Sequence, residues 1–196
     1  MTKEEFLYRF NLLQRGDSCH KYQHNASLKS AAVLIVLANN IDTEGTNTDG
    51  LHVLLTKRAS HLKHHPSQIS FPGGKVEPSD KNLIHTALRE AEEEIGLSSD
   101  AVSIVGQLPD YEVISGYQVT PIVAFVETPQ SYQKDINEVD EIFHVPLQHF
   151  LQPQNHRTIR SYRNGRHHNV HFFPYKHYNI WGATAAMLKD LVEHIK

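Results

Sequence analysis

The sequence predicts an α/β fold in which a β-sheet lies between layers of α-helices. The chain has 196 residues, a length that fits one domain with its own hydrophobic core. The run AAVLIVLA, residues 31–38, has no polar position, as expected for a strand buried on both faces of a sheet. Segments typical of strands and helices then alternate along the chain, which favours a sheet covered by helices on both faces.

The first third of the chain predicts one helix and two strands. Residues 1–14, MTKEEFLYRFNLLQ, form a short amphipathic pattern that predicts a helix. The strand at 31–38 is followed by a polar, turn-rich loop at 39–50 and by HVLLT at 52–56. We therefore expect the two strands to form a hairpin with a long loop.

A second helix is predicted over residues 81–95. Ser79 or Asp80 can cap its first turn, and Gly96 stands where a left-handed C-cap is expected. Before this helix, we expect FPGG at residues 71–74 to be a loop rather than a regular element. Its glycines would let the backbone approach a ligand more closely than a side chain would allow.

The second half of the chain predicts strands, a hairpin and two more helices. Asn164-Gly165 between two extended runs is a strong hairpin signal. The other segments are VSIVGQL (102–108) and TPIVAFVE (120–127) as strands, EIFHVPLQHFL (141–151) as a strand followed by a helix that begins near Pro146, and IWGATAAMLKDLVEHIK (180–196) as a closing amphipathic helix.

Composition limits the function classes. The formal net charge is −3, so no general attraction to nucleic acid is expected. No apolar run reaches the roughly 20 residues that span a bilayer, and the N-terminus lacks the pattern of a signal peptide. Cys19 is the only cysteine, which favours a reducing compartment. We expect a cytoplasmic protein, a monomer or homodimer, without a membrane or nucleic-acid partner.

The glutamates at the end of the second helix are placed unusually. At about 100° per residue, Glu94 falls inside the apolar sector, Glu90 at its border and Glu93 just outside it, whereas Glu92 points to the opposite side. A carboxylate that faces the core loses hydration. Negative charge near a helix C-terminus also opposes the helix dipole. A hard divalent cation such as Mg²⁺ or Mn²⁺ would offset these costs, whereas a solvated acidic face paired with Arg89 would need no metal.

This segment resembles the Nudix box, the signature of hydrolases that cleave nucleoside diphosphates linked to another moiety. The family pattern is G-x5-E-x7-R-E-U-x-E-E-x-G-U, where U is aliphatic, and REAEEEIGL at residues 89–97 matches its second half. The first half departs from the pattern. Asp80 stands six residues after Gly74 in place of Glu, and eight residues rather than seven separate it from Arg89. We therefore do not assign Asp80 as a metal ligand.

A second resemblance narrows the family branch. The segment LLTKRASHLKHHPSQISFPGG (54–74) looks like the coenzyme A pyrophosphatase signature, L-L-T-x-R-[SA]-x3-R-x3-G-x3-F-P-G-G. Lys63 replaces the second arginine and loses its bidentate geometry. Ser67 replaces a glycine, which matters if that position needs a positive φ. Together the two resemblances cover most of the chain from about residue 31.

The resemblance implies the Nudix fold, a mixed β-sheet between α-helices, in residues 29–196, with residues 1–28 as a helical extension packed on it. It also implies a metal-dependent hydrolase that uses Mg²⁺ or Mn²⁺. Glu90 and Glu94 would be the main metal ligands, with Glu93 as a further ligand and the Gly74 carbonyl as an additional oxygen. Arg89 would orient the glutamates.

The remaining site residues concern the substrate and the attacking water. The substrate implied is a small nucleotide, coenzyme A or a derivative, cleaved to 3′,5′-ADP and 4′-phosphopantetheine. Arg58, Lys63 and the glycine pair Gly73–Gly74 are candidates to bind it. Glu93 and Glu138, a loop acid distant from the box, are both candidates for the general base.

Other interpretations stay open. The enzyme could hydrolyse ADP-ribose or a dinucleoside polyphosphate instead, or the domain could be a ligand sensor without turnover. Tyr117 and Phe172 are candidates to stack on adenine, and three arginines near the predicted hairpin, Arg160, Arg163 and Arg166, are candidates to attract a 3′-phosphate.

Overall fold

The computed structural model describes residues 1–12, 27–39, 42–43, 46–47, 50–126, 131–163 and 166–196. Its helices are α1 (Lys3–Leu12), α2 (Leu83–Ile95), α3 (Leu147–Leu151) and α4 (Gly182–His194). Its strands in the first half are β1 (Lys29–Asn39), β2 (Asp42–Thr43), β3 (Thr46–Asn47), β4 (Leu51–Arg58), β5 (Ile69–Ser70) and β6 (Gly73–Lys75). Those in the second half are β7 (Val102–Gln107), β8 (Tyr111–Val113), β9 (Tyr117–Val126), β10 (Val139–Pro146), β11 (Arg157–Arg163), β12 (Arg166–Tyr175) and β13 (Tyr178–Trp181).

The main sheet is mixed, as predicted. Its central order is β10-β4-β1-β9-β7, with β5 paired to β4, β6 to β1 and β8 to β9. Strands β1 and β9 run parallel, and the other pairs are antiparallel. The predicted hairpin of the first two long strands is confirmed, because β1 and β4 pair antiparallel, with Leu37 opposite Val53.

Helices cover both faces of this sheet, which confirms the α/β/α sandwich. Side chains alternate along β1: Leu34 and Val36 belong to the apolar cluster beneath α2. Ile35 and Leu37 belong to the cluster beneath α1, α3 and α4. The all-apolar run that predicted a doubly buried strand is therefore buried on both faces.

The N-terminal helix packs on the second of these clusters. Phe6 is fully buried and meets Phe125 edge-to-face, with ring centroids 5.5 Å apart. Phe10 lies 4.6 Å from the ring of His194 in α4. The packing agrees with a helical extension, and the division of the chain at residue 28 stays a prediction.

A second, three-stranded sheet has the order β11-β12-β13. Strands β11 and β12 pair with Arg163 opposite Arg166, which confirms the predicted hairpin, while its turn residues Asn164 and Gly165 lie outside the described residues. The third strand, β13, was not predicted. It leads directly into α4, the predicted closing helix. The apolar residues of its pattern are all buried: Ala185, Leu188, Leu191, Val192 and Ile195.

The predicted start of α2 was wrong. The helix begins at Leu83 rather than Lys81, and its N-cap is Asn82, whose Oδ1 accepts the His85 N–H at 2.9 Å. Asp80 does not cap because other groups occupy its carboxylate. The predicted C-cap is confirmed: Gly96 has φ 66° and its N–H donates to the Glu92 carbonyl at 2.9 Å. None of the described helices combines the length and the apolar character needed to cross a membrane.

Candidate active site

The glutamates of α2 differ sharply in burial, as the helical wheel predicts. Glu94 is buried, with 4% of its surface exposed, and the Glu90 side chain is 15% exposed. The Glu93 side chain is 62% exposed, and Glu92 faces solvent. Ile84 falls in the apolar sector of the helical wheel but is exposed.

Two glycines let strand β6 lie directly against these carboxylates. A Cβ on Gly74 would lie 2.4 Å from the Glu90 carboxylate, and Gly73 has φ +154°, a conformation that side chains rarely adopt. The Gly73 N–H also donates to Glu94 Oε2 at 3.4 Å. Gly74 is therefore required by the close approach of the backbone to Glu90. Gly73 is required by its φ and by strand β1, because a Cβ there would lie 2.4 Å from the Ala32 carbonyl oxygen.

Asp80 and Arg89 form a buried ion pair that anchors the loop before α2. Arg89 Nε and a terminal nitrogen each donate to Asp80 at 3.1 Å, and the Asp80 side chain is fully buried. The Thr86 hydroxyl and the Glu77 N–H also donate to this carboxylate at 2.9 Å. The hydrogen bond from Arg89 above all holds the pKa of Asp80 well below its usual range. Asp80 is thus a structural partner of Arg89.

Arg89 also holds the glutamates in place. Its Nη1 donates to Glu90 at 3.0 Å and to Glu93 at 3.2 Å. Its Nη2 donates to the Lys75 carbonyl at 3.0 Å, just beyond the glycine pair. One side chain therefore links the loop, Asp80 and two of the glutamates. The expectation that Arg89 orients the glutamates agrees with these contacts.

Glu94 lies in an environment that disfavours its ionised form. Burial raises its pKa to about 8, and the nearby charges of Glu138 and Glu90 add to this shift while Arg58 opposes it. Burial also raises the pKa of Glu90, against the opposing charge of Arg89. A carboxylate in such a setting gains from a cation close by.

The structure brings Glu138 to this site although it lies far along the chain. The segment before β10 is bonded to the end of α2, since the Asp135 N–H donates to the Glu94 carbonyl at 3.0 Å. The Glu138 carbonyl accepts the Ala59 N–H at 2.9 Å, next to Arg58. The backbone of Glu138 is therefore held between α2 and the end of β4, and its side chain is exposed.

The two basic candidates of the upstream loop are placed differently. Arg58 is half-buried near Glu94, and its Nε has no hydrogen-bond partner among the described residues. Lys63 is exposed on the loop between β4 and β5. Ser67 has φ 59°, so this position does use the left-handed conformation that glycine adopts most easily.

The remaining candidates lie away from the glutamates' contacts. Phe172 lies parallel to Trp181, with centroids 6.3 Å apart, and Tyr117 lies 6.0 Å beneath the Lys75 ammonium. Arg160 is exposed on β11. The side chains of Arg163 and Arg166 lie outside the described residues.

The donors suit a hard divalent cation by their chemistry. Glu90 lies against Gly74, where a Cβ would collide with its carboxylate, and Glu94 lies beside the Gly73 N–H. Carboxylate and backbone oxygens of this kind are the ligands that Mg²⁺ and Mn²⁺ prefer. No three His, Cys, Asp or Glu side chains form a ready-made cluster in the described part of the chain. Glu93 would have to turn away from Arg89 to join Glu90 and Glu94.

Two features of the structure are not predicted by the sequence. Asp80 was set aside because of its altered spacing, and its role as the partner of Arg89 depends on a tertiary contact. A short Pro-Ser-Asp segment before a helix that carries a buried arginine is the signal that could have suggested it. Trp181 was not singled out, because nothing in the local sequence distinguishes it from a core aromatic.

Comparison with known proteins identifies the family. A model of the NUDIX domain matches residues 29–186. The uncharacterized Nudix hydrolase NudL of Enterobacter sp. (strain 638) is 37% identical over 195 residues, covering 100% of this chain and 95% of that protein. The protein of the same description from Salmonella dublin is 38% identical with the same coverage.

Solved structures agree on the fold. A MutT/nudix family protein from Enterococcus faecalis matches 98% of this chain and 68% of its own, with a TM-score of 0.52 and 16% identity. The Nudix hydrolase RenU from M. smegmatis matches 63% of this chain and 73% of its own, with a TM-score of 0.50 and 21% identity. The chain belongs to the Nudix hydrolase family, whose members act on phosphoric anhydrides of nucleoside diphosphate derivatives.

Proposed function

We propose that this Nudix hydrolase cleaves the diphosphate bond of coenzyme A or its derivatives. Water would add to one phosphorus, the bridging P–O bond would break, and the products would be 3′,5′-ADP and 4′-phosphopantetheine or its acylated form. The observation that supports the proposal is the position of the upstream signature, residues 54–74, beside the buried glutamate of α2. Arg58 from its start and Gly73 from its end both lie beside Glu94.

The carboxylates of α2 have a defined part in this proposal. Glu90 and Glu94, with Glu93 and the Gly74 carbonyl, would hold Mg²⁺ or Mn²⁺. When bound, such a cation neutralises diphosphate charge and favours attack by water. Arg89 keeps Glu90 and Glu93 oriented through its hydrogen bonds. Arg58 would meet a substrate phosphate, since its Nε lacks a partner among the described residues.

Two groups are candidates to take the proton from the attacking water. Glu138 is exposed and lies within electrostatic range of Glu90 and Glu94. Glu93 is exposed on α2 but engaged by Arg89. Replacing each by Gln separates them: loss of the base should lower kcat by about 10²-fold or more with little change in KM. The variant that keeps its kcat is not the base.

A substrate panel tests the proposal. Turnover of coenzyme A and of ADP-ribose is measured with Mg²⁺, with Mn²⁺ and with a chelator, and the products are identified. Release of 3′,5′-ADP that needs metal and exceeds ADP-ribose cleavage is the expected result. Preferential cleavage of ADP-ribose would reject the coenzyme A assignment and show that Lys63 and Ser67 mark a different specificity.

The setting proposed for this activity is the cytoplasm, in a monomer or homodimer. A single cysteine, Cys19, cannot form a disulfide within the chain, which suits a reducing compartment.

A further inference from the structure

A cleft of about 370 Å³ lies on the side of the main sheet opposite α2, since its lining residues Ile69 and Tyr178 belong to the apolar cluster of that face. One wall is formed by Lys57, the loop residues 66–68 and Ile69 of β5, and the other by residues 177–179 and Trp181. Lys57 and residues 66–69 lie within the segment 54–74 that resembles the coenzyme A pyrophosphatase signature, but of these only Ser67 stands at a fixed position of that pattern. The cleft is therefore distinct in its lining from the glutamates of α2.

Aromatic groups fix one wall of this cleft. The Tyr178 ring stacks on Phe143 with centroids 3.8 Å apart, and its hydroxyl donates to Glu141. Trp181 lies parallel to Phe172, yet 42% of its surface is exposed. A large aromatic side chain that is held in place but half-exposed is a surface on which another flat ring can stack.

The polar groups in the lining suit an anionic ligand that carries a heterocycle. Lys57 contributes a positive charge, and none of the lining residues is acidic. Asn179 contributes an amide with donors and an acceptor. Stacking, an amide and a cation together match a phosphorylated purine nucleoside better than a flexible thiol-bearing arm, which has no aromatic face.

The cleft and the glutamates lie on either side of the same strand. Successive side chains of β4 point to opposite faces, so Arg58 lies on the α2 side near Glu94 while Lys57 lines the cleft. Residues 70–72 alone separate the cleft wall at Ile69 from Gly73, which bonds to Glu94. Ile69 pairs with Lys57, and the Gln68 carbonyl accepts the Arg58 N–H at 2.9 Å, so the cleft wall and the residues near Glu94 meet at the end of β4.

We propose that this cleft binds the purine nucleoside end of the substrate, with the base stacked on Trp181 and a phosphate near Lys57. This inference rests on the proposed function for the identity of the ligand, since coenzyme A carries adenosine with a 3′-phosphate. The diphosphate then extends past the end of β4 to Arg58 and the glutamates.

Trp181 provides a direct readout because it is the only tryptophan in the chain. The intact protein, kept in chelator so that no turnover occurs, is titrated with 3′,5′-ADP, with 4′-phosphopantetheine and with inorganic pyrophosphate, and tryptophan fluorescence is followed. Saturable quenching by 3′,5′-ADP alone is expected. Quenching by 4′-phosphopantetheine but not by 3′,5′-ADP, or no saturable change with either, would overturn the proposal.

Variants test the roles of the two groups. Trp181→Ala should weaken 3′,5′-ADP binding about tenfold, measured by calorimetry, and Trp181→Phe should retain most of the affinity. Lys57→Ala should weaken 3′,5′-ADP binding more than adenosine binding. Tyr162→Ala is the matched control, since this aromatic side chain is exposed on the same small sheet outside the cleft. Equal affinities of Trp181→Ala, Trp181→Phe and Tyr162→Ala would reject stacking.

Failure of this inference can be told apart from failure of the proposed function. Turnover of coenzyme A without quenching by 3′,5′-ADP rejects the cleft and leaves the activity in place. Quenching without turnover of coenzyme A leaves the cleft in place and rejects the activity. In the active enzyme, Trp181→Ala should raise KM about tenfold with kcat nearly unchanged, because stacking on a remote base contributes equally to ground state and transition state.

Discussion

At the scale of single residues, Glu94 combines a buried position with a charge that the proposed metal site requires. Its pKa of about 8 lies above the value of about 4 expected in the unfolded chain. Between these two values the folded state binds more protons than the unfolded state, so the free energy of unfolding falls as pH rises. Glu90 shifts in the same direction.

The metal-free protein should therefore lose stability with rising pH. In chelator, we expect the free energy of unfolding to fall by a few kcal/mol between about pH 5 and about pH 9, and Glu94→Gln to remove most of this slope. Urea unfolding at a series of pH values measures it. A slope that is the same in the wild type and in Glu94→Gln would show that Glu94 is not the group responsible.

The pKa of Asp80 is shifted in the opposite direction to that of Glu94, because hydrogen bonds above all from Arg89 favour its ionised form. Asp80→Asn removes the buried carboxylate to which Arg89 donates two hydrogen bonds and leaves Arg89 paired only with Glu90 and Glu93, which should cost about 3 kcal/mol or more. Turnover should also fall, since Arg89 orients Glu90 and Glu93. Thermal unfolding and kcat are measured together, with Asp100→Asn, an exposed acid, as the control. A change no larger than in Asp100→Asn would contradict the anchoring role.

At the scale of elements, the residue that caps α2 in the structure, Asn82, differs from the caps predicted from the sequence, Ser79 or Asp80. Asn82→Ala should cost about 1 kcal/mol because the His85 N–H loses its acceptor. Ser79→Ala should change the free energy of unfolding by less than about 0.5 kcal/mol. Chemical denaturation measures the free energy of unfolding of both variants. A larger loss of stability in Ser79→Ala than in Asn82→Ala would support Ser79 as the N-cap of α2.

The features that the sequence predicts are those that depend on local periodicity. The helical wheel correctly placed Glu94 inside and Glu92 outside, and the apolar run of β1 predicted burial on both faces. The cap of α2 could not be predicted because Arg89, nine residues further on, occupies the Asp80 carboxylate. Strand β13 was missed because only its pairing with β12 makes it a strand.

Parts of the candidate site could not be predicted from the sequence because they also depend on tertiary contacts. The acidic helix and the glycine pair are visible as patterns in the sequence. The cleft is not, since Lys57 and Trp181 are 124 positions apart (181 minus 57) and meet only when β4 and the small sheet lie side by side. The placement of Glu138 depends in the same way on backbone contacts with Glu94 and Ala59.

At the scale of the whole molecule, the N-terminal helix belongs to the same core as the C-terminal helix. Phe6 contacts Phe125 of the main sheet, and Phe10 contacts His194. Phe6→Ala should cost about 3–5 kcal/mol, as for other buried phenylalanines, whereas Tyr8→Ala on the exposed side should cost less than about 0.5 kcal/mol. Differential scanning calorimetry compares them. Equal stabilities would mean that α1 does not pack on the domain in solution.

The two faces of the main sheet have different parts in the proposed reaction. On one face α2 presents Glu90 and Glu94 beside the glycine backbone, and on the other face the cleft with Trp181 lies next to Lys57. Strand β4 links the two, because Lys57 and Arg58 point to opposite sides of it. Specificity and hydrolysis would then reside on separate faces of one sheet.

The most direct test compares two neighbouring glutamates on α2. Turnover of coenzyme A is measured against Mn²⁺ concentration in the wild type, in Glu94→Gln and in Glu92→Gln, which removes an exposed charge from the same helix. We expect Glu94→Gln to lose at least about a hundredfold in kcat and to need more Mn²⁺, and Glu92→Gln to stay within about twofold of the wild type. If Glu94→Gln behaves like Glu92→Gln, the buried glutamate of α2 does not hold the metal.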